Sequence, residues 1–233
     1  MQHKIAILAL GTTLALAAAT GAHAGNATPN DLRIGAYFVH FDSSATDITG
    51  PYTVPGLNTR IRNATTLYLA YVRTLSRHFD VEFAFGWPPV THAEAVGPVA
   101  VGSVPFNGKE IATVRWLSPT VLFEYNFFSP SARWRPFVGV GVNYTYFYDR
   151  QVTAAGKAVS GGPTAISMPS SVGPAVTAGF TYHINSRWHL NASYSVAQVN
   201  TRLTTDTAGV FRNSHIHFWP NAVVLSVGYS FGL

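Results

Sequence analysis

Residues 134–149 read WRPFVGVGVNYTYFYD and alternate along most of their length. Val138, Val140, Val142, Tyr144 and Tyr146 fall on one face; Phe137, Gly139, Gly141, Asn143, Thr145 and Phe147 fall on the other. Successive side chains of a strand point to opposite faces, so this is a β-strand with one large apolar face and one that is mostly small and polar. The pattern recurs. Residues 79–87 set Phe79, Val81, Phe83, Phe85 and Trp87 against Asp80, Glu82, Ala84 and Gly86. Residues 119–127 set Val121, Phe123, Tyr125 and Phe127 against Thr120, Leu122, Glu124 and Asn126. Residues 172–183, 188–200 and 219–231 follow suit, and 32–41 and 65–75 do so less cleanly. These make about eight candidate strands of roughly 9 to 15 residues, longer than the ~5–6 usual in soluble sheets and enough to cross a bilayer at a tilt.

The environment follows from which face is large. A soluble ligand-binding barrel turns its apolar side chains inward. A sandwich buries its large face between two sheets and needs neither such lengths nor aromatic strand ends. Here Trp87, Tyr125, Phe127, Trp134, Tyr146, Tyr148, Tyr182, Trp188, Trp219, Tyr229 and Phe231 all stand near strand ends, as in the interfacial girdles of membrane barrels. The connections 75–79, 128–134 and 183–188 are tight turns. The segments 42–64, 88–113, 149–171 and 200–218 are rich in Gly, Pro, Ser, Thr and Asp and read as long loops. The fold class is therefore all-β: an eight-stranded antiparallel transmembrane β-barrel with short periplasmic turns and long extracellular loops.

The start of the chain agrees. MQHKIAILALGTTLALAAATGAHAG has a basic Lys4, an apolar run and a small-x-small site at Ala22-His23-Ala24, the pattern of a secretory signal peptide. Residues 1–24 are read as that peptide and 25–233 as a single barrel domain. Charged residues are only 11% of the chain, and the basic ones are scattered, unlike the clustered surface of a nucleic-acid binder. There is no cysteine, so the exported chain draws no stability from disulfides.

Strand direction then gives height. Arg33, Arg73, Asp80, Glu82 and Glu124 are expected inward near the periplasmic end, with Asn126, His183 and His189. Facing lipid, an arginine would cost about 2–4 kcal/mol at the midplane; facing one another, these groups form a charged plug of structural character. Higher up, Val39, Phe41, Leu67, Leu69, Phe147, Val199 and Val224 are expected inward. They suit either a pocket for an apolar ligand or the packed interior of a small barrel. Pro88 and Pro89 close the third strand and Pro119 interrupts its partner, the fourth. Lacking ladder donors, they either part that seam into a lateral gate or simply end one strand and bend another. His215-Ile216-His217 supplies too few donors for a metal site, and no nucleophile motif is present. Neither a metal, a cofactor nor enzymatic activity is expected.

WLSPTVLFEYNF (116–127) and WRPFVGVGVNYTYFYD resemble the central signature of the OmpW family of outer-membrane barrels. The pieces LRIGAYFVHFD, VEFAFGWPPVTH, INSRWHLNASYS and VVLSVGYSF extend the likeness over essentially the whole mature chain. Two departures stand out: Ser118-Pro119 where the family often has two prolines, and the ending Phe231-Gly232-Leu233 where it usually has an aromatic. The resemblance implies a Gram-negative outer-membrane location. It also implies passive uptake of small hydrophobic molecules, taken in between the outer loops and released sideways through the wall. Membrane lipids, a small hydrophobic ligand and the barrel-assembly machinery are the implied partners. The alternative is a structural or adhesive barrel, or a phage or bacteriocin receptor, without transport.

Overall fold

The computed structural model describes residues 30–232, so the expected signal peptide and Leu233 lie outside the described residues. Eight staves close on themselves. Going round, they are β1 (Asn30–Ala45), β3 (Ala64–Thr74), β4 (Phe79–Gly86), β9 (Thr120–Asn126), β10 (Trp134–Val152), β12 (Ser171–His183), β13 (Trp188–Ala197) and β15 (Val210–Phe231), each antiparallel to the next. β15 pairs back onto β1 from Asn30↔Phe231 to Ala45↔Ile216. Closure leaves no edge strand in the bilayer, where an unpaired backbone group is costly.

The quoted strand behaves as its alternation requires. Val140 is 62% exposed on the lipid side and Phe137 only 2% exposed on the lumen side. Aromatic pairs ring the periplasmic rim: Trp134 and Tyr182 have centroids 4.7 Å apart, Trp188 and Tyr229 4.9 Å, and Tyr125 and Phe127 5.1 Å. Tyr146 stacks on Tyr148 at 5.8 Å toward the other rim. Gly139 and Gly141 serve the lumen differently. A Cβ on Gly139 would stand 3.1 Å from Glu124 Cγ, so that glycine makes room for a buried side chain. A Cβ on Gly141 would meet the Val121 carbonyl oxygen, so here the backbones themselves approach closely.

Two expectations are corrected. The wall continues well beyond the membrane where loops were expected. β2 (Asn58–Ile61), β5 (Val90–Val96) and β8 (Glu110–Leu117) extend one side, and β11 (Thr164–Ser167) and β14 (Val199–Thr207) the other. Segment 200–218 is mostly a hairpin, turned by Ala208 and Gly209 with φ of 51° and 87°. One face of this hairpin meets water, and the other carries Leu203 and Ile216 into the apolar cluster with Val199 and Met168. The remaining outer structure is the 46–57 loop, the small hairpin of β6 (Ala100–Val101) and β7 (Val104–Pro105), and helix α1 (Ala154–Ser160), capped by Thr153.

The second correction concerns β3, whose phase is opposite to that expected. Tyr68, Ala70 and Val72 are buried in the lumen, and Leu67 is 42% exposed to lipid with Leu69 on the same face. Both faces of this strand are apolar, so the inward placement rested on keeping Arg73 out of lipid. Arg73 escapes differently: at the end of the strand it donates to Asn30 Oδ1 at 2.6 Å, beside the Tyr71 hydroxyl on the same oxygen at 2.7 Å. A long side chain near the interface reaches a polar partner without turning inward. A one-residue change of phase moves every side chain of a strand to the other face. Leu67 and Leu69 therefore leave the lumen lining, and Arg73 leaves the plug.

Candidate functional site: a floored lumen with an interrupted wall

The floor is built around Arg33 of β1. Its Nε lies 3.0 Å from Asp31 Oδ2 and its Nη1 2.6 Å from Glu82 Oε2. The other Glu82 oxygen accepts the Tyr68 hydroxyl at 2.7 Å. His189 Nε2 comes within 2.9 Å of Asp31 Oδ2, and Asn126 donates to Asp80 at 2.8 Å. Arg135 donates to the Arg77 carbonyl, and the Arg33 guanidinium stands 6.0 Å from the Phe137 ring centroid. Glu124 is 1% exposed, and neither carboxylate oxygen has a hydrogen-bond partner among the described residues. Asp80, Glu82, Glu124 and Arg33 thus meet where the alternation put them. His183 also lies at this end, opposite His189 with ring centroids 5.8 Å apart, and its Nδ1 is 3.0 Å from the Ala132 carbonyl of the neighbouring turn. Asp31 and Arg135 are additions that the alternation could have supplied, because they share parity with Arg33 and Phe137. Tyr68 was hidden by the inverted phase of β3.

Above the floor lies a cavity of about 190 Å³. Its walls include Val39, Phe41, Phe147, Val199 and Val224, the five lumen residues that remain after correction, together with Tyr37, Val114, Trp116 and Met168. Phe41 and Trp116 meet edge to face with centroids 5.9 Å apart. The cavity reaches Glu82 and Tyr68 at its lower end, and Leu57 and Phe106 at its upper end. Mid-lumen, Asn143 Nδ2 donates to Ser118 Oγ and Thr120 Oγ1, both at 2.8 Å, and Thr145 donates to Asn143 Oδ1 at 2.8 Å.

Within the membrane-spanning staves the wall is interrupted between the third and the fourth. β4 pairs with β9 up to Ala84↔Thr120, and pairing resumes with β5 and β8 at Val90↔Arg115. Between these points 85–89 face 116–119, and no hydrogen bond crosses among the described residues. Each lip is held from its own side. Trp87 N donates to the Leu67 carbonyl at 2.8 Å and Trp87 O accepts from Thr66 Oγ1 at 2.6 Å, while Tyr144 N donates to the Pro119 carbonyl at 3.0 Å.

Pro88, Pro89 and Pro119 bracket the gap but differ in effect. In an antiparallel strand the N–H and C=O of one residue point to the same neighbour. Pro119 faces β10, so its missing N–H is not on the gap side. Trp87 faces β3, yet His92 gives its carbonyl to Arg62 N on the β2 side and Ala95 N donates to Lys109 on the β8 side, so the strand changes facing at Pro88-Pro89 and neither proline has a donor to give the gap. His215 and His217 lie on the outer surface of β15, with His217 Nδ1 2.9 Å from Asn200 Oδ1.

The family model described as the OmpW family matches residues 31–231. This chain belongs to the OmpW family. It is 32% identical to outer membrane protein W of Salmonella typhimurium over 171 residues, covering 73% of this chain and 75% of that one. Its identity to the Escherichia coli K12 protein of the same name is 28%, over 98% and 99% of the two chains. The crystal structure of OprG from Pseudomonas aeruginosa has the same fold, with a TM-score of 0.78 at 21% identity, covering 89% of this chain and 98% of that one. The chain is an outer-membrane β-barrel of this family, with its short turns periplasmic and its extended wall outside.

Proposed function

We propose that this OmpW-family barrel admits small hydrophobic molecules passively and releases them sideways into the membrane. The observation that carries this reading is the missing ladder between 85–89 and 116–119, opening beside an apolar cavity whose lower end is closed by ion pairs. A solute that fills the cavity meets charge below it, where entry would mean desolvating or breaking a buried pair. Beside it is a stretch of wall with no hydrogen bonds to break. The cavity volume is near that of an engineered apolar cavity of about 150 Å³ that holds benzene, so the suited ligands are short alkanes and single rings. The step is binding and diffusion, with no energy coupling and no catalytic residue.

Uptake of n-octane into vesicles with and without the protein tests the reading. The wild-type protein should accelerate uptake. Pro88→Ala with Pro89→Ala, which returns donors beside the gap, should slow it more than Pro119→Ala, whose donor returns on the β10 side. Equal uptake with and without protein would favour a structural barrel. Full uptake by both proline variants would sink the lateral exit.

A further inference from the structure

The outermost residue of the cavity is one that the fold does not need. Tyr52 sits in the 46–57 loop and is 91% exposed, and it stands among the residues that line the same cavity as Leu57 and Phe106. Its φ is 56° in the turn after Pro51. That left-handed position ordinarily takes glycine or asparagine, and a bulky side chain is strained there. The loop is anchored on both sides of the turn. Its stem is tied by Ile48 N to the Leu57 carbonyl at 2.7 Å, and Thr49 and Asn213 exchange two backbone hydrogen bonds of 2.9 and 2.8 Å. Gly50 lies against β15, where a Cβ would stand 2.7 Å from the Phe211 carbonyl oxygen.

No return on that strain is visible in the fold. The ring is not buried, and its hydroxyl has no hydrogen-bond partner among the described residues. Strained backbone without a packing gain is a lead toward function, and Tyr52, unlike the similarly held Phe128 of a periplasmic turn, stands among the residues of the cavity. Between Tyr52 and the lumen the cavity is lined by Ile48, Leu57 and Phe106, which pack as one cluster, and then by Phe41 and Trp116, which belong to another. An exposed ring offers a π face on which another flat ring stacks offset, an attraction beyond simple area burial that a saturated ring of equal size does not share.

We infer that Tyr52 is the capture residue of the channel, an aromatic platform at the mouth that selects flat aromatic solutes over saturated ones of the same size. This rests on the channel reading above. The test is vesicle uptake of toluene and of methylcyclohexane by the full barrel, wild type and with Tyr52→Gly, Tyr52→Leu and Tyr52→Phe. Glycine relieves the backbone strain, leucine keeps apolar bulk without a ring, and phenylalanine keeps the ring. Toluene uptake should fall about 3- to 10-fold in Tyr52→Gly and Tyr52→Leu and recover in Tyr52→Phe. Methylcyclohexane uptake should stay within about twofold throughout. The melting temperature of Tyr52→Gly should be no lower than that of wild type, which separates capture from folding. Unchanged toluene uptake in Tyr52→Gly, or an equal loss of both solutes, overturns the inference and leaves the channel standing. If wild type speeds neither solute, the channel falls and this inference with it.

Discussion

Replacing Arg33 by methionine removes the centre of the floor while keeping length and apolar bulk. Two charge-assisted hydrogen bonds are lost, at 3.0 Å to Asp31 and 2.6 Å to Glu82. At about 1.5–3 kcal/mol each their sum is about 3–6 kcal/mol, and the usual cost of breaking a buried pair by removing one partner is about 3–5 kcal/mol. The two routes agree, so Arg33→Met should lose about 3–5 kcal/mol. The stranded charge is chiefly that of Glu82, because Asp31 retains His189 at 2.9 Å. Glu82→Gln in the same chain removes that charge, and the new amide oxygen still accepts the Tyr68 hydroxyl. The double variant should therefore be more stable than the sum of the single losses predicts, by about 1–3 kcal/mol. Reversible urea unfolding in bilayers reads both quantities, and planar-bilayer conductance shows whether the floor leaks ions. A loss under about 1 kcal/mol in Arg33→Met, or strict additivity in the double variant, would refute the floor as a buried coupled network.

Gly228→Ala would place its Cβ within contact of His189 Nε2; displacing that imidazole from Asp31 should cost about 1–3 kcal/mol, read by urea unfolding, and His189→Ala in the same chain should return part of it. Leu69→Arg tests the phase of β3: on the lipid face it should cost about 2–4 kcal/mol near the midplane. A change below about 1 kcal/mol there would mean that Leu69 faces the lumen after all.

The membrane-spanning wall was legible because lipid and lumen demand opposite residues. Val138, Val140 and Val142 against Gly139, Gly141 and Asn143 leave only one assignment. The floor was legible for the same reason, since Asp80, Glu82 and Glu124 lie in strands whose other face is aromatic. β3 was not, because Leu67, Leu69 and Tyr71 compete with Tyr68, Ala70 and Val72 on equal terms, and the deciding Arg73 lies close enough to the rim to find Asn30. The outer wall was illegible because the Thr-rich β14 has little apolar contrast to set its period. Trp116 and Tyr37 joined the cavity unannounced: Tyr37 shares parity with Val39 and Phe41 but was not counted with them, and Trp116 lies before the strand expected from 119. The separate effects of Pro88-Pro89 and Pro119 depend on which neighbour each addresses, and only the hydrogen bonds of Trp87, His92 and Tyr144 reveal it.

The central proposal is that solute leaves through the gap between β4 and β9. The chain has no cysteine, so Phe85→Cys with Pro119→Cys, one step beyond the Ala84↔Thr120 pair, creates the sole thiol pair. A short bifunctional thiol reagent then ties the lips together, and n-octane uptake is measured before and after. A second pair, at Val138 and Ala178 in the fully laddered β10–β12 seam, controls for the chemistry. Joining 85 to 119 should bring uptake down to that of protein-free vesicles, while joining 138 to 178 should leave it unchanged. Undiminished uptake with the 85–119 link in place would contradict the proposal.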